Sequence, residues 1–129
     1  MPPPDGRAPV DAIRHAVRLA VEAGSLRSVA AQMPMSPTGL RQFLNGRAPY
    51  SATLRKLTAW YIRHQDRRDG FTPDVARAAL SVLLEAIPEG ERGAASTELL
   101  DFTAALHRRR RLKPPAWMDV LRGGADPPP

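Results

Sequence analysis

The chain has no cysteine, which excludes disulfides and thiolate metal sites and permits a reducing interior. Aromatic residues make up only 5% of it, and no run approaches the roughly 18 continuous apolar residues of a membrane span. The start, Met-Pro-Pro-Pro-Asp, lacks the basic-then-apolar order of a signal peptide. A cytoplasmic location is therefore expected. His15, His64 and His107 are far apart, with no His-x-x-x-His pair and no carboxylates at metal-ligand spacing, so no metal site is expected. Glycine-rich phosphate loops and Gly-x-Ser-x-Gly elbows are also missing. No cofactor is expected, and the chain does not read as an enzyme.

What the chain does have is alanine, arginine and proline. Its 129 residues are the size of one ordinary domain. The hydrophobic share is 43%, and its richness in alanine suits close-packed short helices better than a sheet. The expected class is all-α. Net charge is +6, and its distribution is uneven: residues 1–70 carry eleven Arg/Lys against five Asp/Glu, whereas 71–129 carry eight of each. Between 23 and 65 lie Arg27, Arg41, Arg47, Arg55, Lys56 and Arg63 with no acidic residue. Such a window is how a polyanion-binding face looks. Coding bias explains why seventeen of nineteen basic residues are arginine, but it does not explain the missing acids.

The proline-rich segments 1–9 and 123–129 read as disordered tails. Between them, Val10, Ile13, Val17 and Val21, with Ala16 and Ala20, line one face of a first helix that ends near Gly24. Ser25 caps a second, Leu26 to Gln32, with Leu26, Val29 and Ala30 inward. Pro34 stops it. Ser36-Pro37 is a cap-then-proline restart, and a third helix runs over 37–45 until Gly46 closes it. A fourth starts at Ser51 with Leu54, Leu57, Thr58 and Tyr61 inward, and the polar run Arg63 to Gly70 is expected to be a loop. Thr72-Pro73 opens a fifth, with Val75, Ala79, Val82, Leu83 and Ala86 inward and Pro88 as its stop. A sixth covers about 96–111, with Ala95, Leu99, Phe102 and Leu106 on one stripe, and a short seventh covers about 115–122. Trp60 and Trp117 are expected in a core or an interface.

The second helix, the Pro34 break and the third helix together have the form that presents a recognition helix to the major groove. At about 100° per residue, Leu40, Phe43 and Leu44 share one side of the third helix. Thr38, Arg41, Gln42 and Asn45 share the other. Arginine can bind guanine bidentately, and glutamine or asparagine can do the same for adenine.

The segment Arg27-Ser-Val-Ala-Ala-Gln-Met-Pro-Met-Ser-Pro-Thr-Gly-Leu-Arg-Gln-Phe-Leu-Asn-Gly46 resembles the helix-turn-helix of the lambda-repressor-like (Cro/C1, XRE) family. It has the family's alanine in the second helix, an apolar residue in the turn and a terminal Asn-Gly. The resemblance implies a compact five-helix domain over 10–87, followed by a helical extension over 88–122. It implies base contacts from Thr38, Arg41 and Gln42, with Pro37 close to the groove. Phosphate contacts would come from Ser25, Arg27, Ser28, Asn45 and Arg47. Family members often carry glycine where this chain has Pro34, and many carry glutamine where it has Leu26. The turn is accordingly expected to be built differently, because a proline ring favours negative φ.

The expected function is sequence-specific binding of double-stranded DNA, as in a prokaryotic or phage-type transcriptional regulator. An alternative is a protein-interaction adaptor or antitoxin-like factor acting through the C-terminal helices. A homodimer and a separate protein partner on those helices both stay open as partner readings. The run Arg108 to Arg111 with Lys113 reads either as dipole-complementing surface charge or as a second phosphate patch. The acidic stretch 71–107, net −4, could meet the basic run of a second subunit.

Overall fold

The computed structural model describes residues 6–123, the side chain of Asp66 excepted. Most of the two expected tails, 1–5 and 124–129, lies outside the described residues. The described chain is all-α: α1 (Val10–Ala23), α2 (Leu26–Gln32), α3 (Pro37–Leu44), α4 (Ser51–Arg68), α5 (Pro73–Leu83), α6 (Arg92–Arg109) and α7 (Ala116–Leu121), with a 3-10 turn at Glu89–Glu91. No strand occurs among the described residues. None of these helices is long and apolar enough to cross a membrane.

The described chain divides into two compact units, one over 9–68 and one formed by residues 6–8 together with 69–123. In the first unit α1 packs on α2, α3 and α4, and α2 packs on α3. Its interior is made by Ile13 and Val17 of α1, Val29 and Ala30 of α2, Leu40 and Phe43 of α3, and Leu57, Trp60 and Tyr61 of α4. Each large aliphatic or aromatic side chain removed from water there contributes about 1.5–3 kcal/mol. Trp60 also satisfies its indole N–H, donating to Gln32 Oε1 at 3.0 Å, and stacks on His64 with ring centroids 4.4 Å apart.

α4 continues through Arg68, where the sequence suggested a loop from Arg63. Polarity does not end a helix. Arginine and glutamine are good helix formers, and the first residue after Trp60 that breaks the pattern is Gly70, at φ 78°. Arg67 and Arg68 also stand favourably against the negative end of the helix dipole.

In the second unit Ala76 and Leu80 of α5, Leu100 of α6 and Leu121 of α7 form one buried cluster, with Leu99 and Trp117 packed against it. Phe71 meets Trp117 edge-on at 5.2 Å. α5 therefore belongs with α6 and α7, and the unit carrying α2 and α3 has four helices where the resemblance implied five. Two helix faces also differ from expectation. On α5 the buried residues are Val75, Ala76, Ala78 and Leu80, while Val82 and Leu83 are exposed. On α6 they are Ser96, Leu100 and Ala104, while Phe102 is exposed. Both helices are apolar on more than one side, and it is the partner that selects the face. Gly6 is buried, with Arg92 and Ser96 beside its Cα. Arg92 holds the chain after α5 by donating to the carbonyls of Ile87 (2.7 Å) and Glu85 (3.0 Å).

Candidate nucleic-acid interface

The α2–α3 turn is shaped by hydrogen bonds to the end of α2. Met33 caps that helix, Pro34 follows at φ 20°, and the Met35 N–H donates to Ala30 O at 3.1 Å. This is the arrangement in which a left-handed residue, usually glycine, lets the chain fold back over the last helical turn. The turn is thus of the glycine type with proline in the glycine place, contrary to the expectation that the ring would hold φ negative. Lys56 Nζ donates to the Pro34 carbonyl at 2.9 Å, tying the turn to α4.

Ser36 then caps α3, its Oγ accepting from Gly39 N at 3.0 Å, and Pro37 occupies the first turn where no N–H is needed. Leu40 and Phe43 anchor the helix in the interior. At its far end Gly46 stands at φ 100°. There the Gly46 and Arg47 N–H groups donate to Phe43 O and Gln42 O, both at 3.1 Å. Two arginines of α1 complete this end. Arg14 Nε donates to Phe43 O at 2.8 Å with its guanidinium 4.7 Å from the Phe43 ring centre, and Arg18 Nη2 donates to Leu44 O at 2.9 Å.

With its inner face fixed, α3 turns Pro37, Thr38, Arg41 and Gln42 to solvent. Asn45 and Arg47 are exposed just beyond them. No acidic residue occurs on α3. Gln42 and Arg47 also line a cleft of about 460 Å³ with Ser36, Tyr50, Thr53 and Lys56. Thr38 and Arg41 lie outside that cleft. Ser25 and Ser28, at the start of α2, are exposed, but their hydroxyls serve a reciprocal cap. Ser25 Oγ accepts from Ser28 N at 3.1 Å, and Ser28 Oγ accepts from Ser25 N at 3.2 Å. Arg27 between them is exposed.

Sequence reasoning assigned no site role to four residues of this region. Lys56 lay within the acid-free window and could have been singled out. Tyr50, 77% exposed, was signalled by its position between Pro49 and the start of α4. Arg14 and Arg18 gave no local signal, because the carbonyls they bind lie 29 and 26 residues away. Among the described residues no three His, Asp or Glu side chains converge as a metal site would require. No family model, curated protein or solved structure matches the chain.

Proposed function

We propose that the unit over 9–68 is a repressor-like helix-turn-helix domain that binds duplex DNA sequence-specifically, and that the protein regulates transcription. The observation that carries this reading is the outer face of α3, where Thr38, Arg41 and Gln42 stand exposed with no acid on the helix. These types read base edges in the major groove. Pro37 lies against the groove wall. Arg27, Asn45 and Arg47 meet the phosphates on either side, and Ser25 and Ser28 contribute by shaping the start of α2, since their hydroxyls are already engaged. Lys56 and Tyr50 extend the contact surface along the cleft.

Selection of duplex DNA from a random pool at two salt concentrations tests the reading. Arg41→Ala or Gln42→Ala should cost about 1–3 kcal/mol on the selected site and little on unrelated duplexes. Equal losses on every sequence would overturn base reading.

A second reading, an interaction adaptor or antitoxin-like factor, is favoured by the apolar side chains that the second unit leaves in solvent, Leu83 at 69% and Phe102 at 58% exposure. It predicts a partner bound as tightly by the Arg41→Ala variant as by the parent chain.

A further inference from the structure

The outer face of α6 carries a pattern unexplained by packing within the chain. Phe102 is 58% exposed on the side opposite Ser96, Leu100 and Ala104. At about 100° per residue, Glu98, Phe102, Ala105 and Arg109 fall within about 60° of one another and form a stripe along that side. Their successive spacings of four, three and four residues are those of a helix-pairing seam. Asp101, on the flank, is engaged by Arg122 at 2.8 Å, whereas Glu98 and Arg109 make no ion pair with another described residue. They are also eleven residues apart, about 16 Å along the axis, too far to neutralise each other.

The stripe is self-complementary when turned end for end. The four-three-four spacing maps onto itself, exchanging Glu98 with Arg109 and Phe102 with Ala105. Acid then meets base, and the large side chain meets the small one. A parallel pairing would set glutamate on glutamate, phenylalanine on phenylalanine and arginine on arginine. Beyond the stripe the basic end continues with Arg108, Arg110, Arg111 and Lys113, while at the other end Glu89 is paired with Arg7 at 3.4 Å and Glu91 stands beside Arg92.

We propose that the protein self-associates through α6, antiparallel to α6 of a second copy. The twofold axis passes midway between positions 103 and 104. Phe102 packs on Ala105 of the second copy, and Glu98 pairs with Arg109 of the second copy, twice by symmetry. Such an interface is isologous and closes at the dimer. Its four-residue seam is small, so the association is weak and concentration-dependent.

Sedimentation equilibrium of the full chain without DNA tests the proposal, so its failure would leave the DNA reading untouched. The expected result is a monomer–dimer equilibrium. Phe102→Glu should yield monomer with unchanged helical circular dichroism, because the side chain is already in solvent. Glu98→Arg and Arg109→Glu should each raise the dissociation constant about tenfold or more, since each replaces two attractions by two repulsions. The double exchange E98R/R109E should restore dimerisation nearly to the parent value. A chain monomeric at all concentrations overturns the proposal, even one that binds a different protein through Phe102. A dimer indifferent to Phe102→Glu or to the single reversals overturns it too. Indifference to the reversals is what parallel pairing gives, because like charges are merely exchanged for like.

Discussion

Pro34 has φ 20°, whereas its ring favours values near −65°, and it cannot supply the N–H that a glycine there would donate back to α2. The rest of the turn is in place, with Met35 N bonded to Ala30 O. Backbone held in such sparsely populated regions costs on the order of 1–3 kcal/mol. Glycine would relieve that and add a hydrogen bond, at the expense of a more flexible unfolded chain worth roughly 0.4–1 kcal/mol. Pro34→Gly should therefore stabilise the protein by about 1–2 kcal/mol, read as a higher urea midpoint at unchanged m-value. A lower midpoint would mean that unfolded-state stiffening by proline outweighs the strain. Arg111 occupies the matching place after α6, at φ 56°, with Leu112 N bonded to His107 O at 2.8 Å and Arg111 N to Arg108 O at 3.1 Å. Arg111 already has its N–H bond, so Arg111→Gly should give the smaller gain.

At the scale of elements, what was legible in the sequence was what is decided locally. Ser36-Pro37 and Thr72-Pro73 marked helix starts because cap and proline act within one turn, and both serines or threonines do accept from the third helical N–H. The division of α3 into Leu40 and Phe43 inside and Thr38, Arg41 and Gln42 outside was legible too, since its apolar and polar residues are cleanly segregated. The faces of α5 and α6 were not. Leu80 and Leu100 are buried where Val82 and Phe102 are exposed, and local pattern cannot choose between two apolar sides. Long-range capping was equally invisible. Arg14, with its side chain only 17% exposed, bonds the last turn of α3 through a charged donor, an interaction typically worth about 1.5–3 kcal/mol. Arg14→Met keeps apolar contact with Phe43 and deletes that bond. It should lower stability by about 1–2 kcal/mol and speed hydrogen exchange in the last turn of α3, with Arg18→Met doing less because Arg18 is exposed. Unchanged exchange would show that α3 is held by Leu40 and Phe43 alone.

At the scale of the whole molecule, charge and architecture divide at the same place. The unit over 9–68 has ten basic and three acidic residues, a net of +7, while the described residues of the other have nine and eight, a net of +1. The uneven charge was visible in the sequence; its coincidence with a structural boundary at Asp69 was not, because the resemblance assigned α5 to the domain over 10–87. Under the DNA reading, the excess predicts which cations release counterions. For duplex DNA the slope of log affinity against log salt is about −0.9 per phosphate neutralised, so removing one contacting cation should flatten it by about one. Arg27→Ala and Arg47→Ala should each do so on any duplex. Arg110→Ala should leave the slope alone, because its basic run lies in a unit whose acids balance it. A slope reduced equally by Arg110→Ala would make the end of α6 a second phosphate patch and set it in competition with Glu98 of a second copy. Dimerisation and DNA binding would then oppose each other, and adding duplex would shift the sedimentation equilibrium toward monomer.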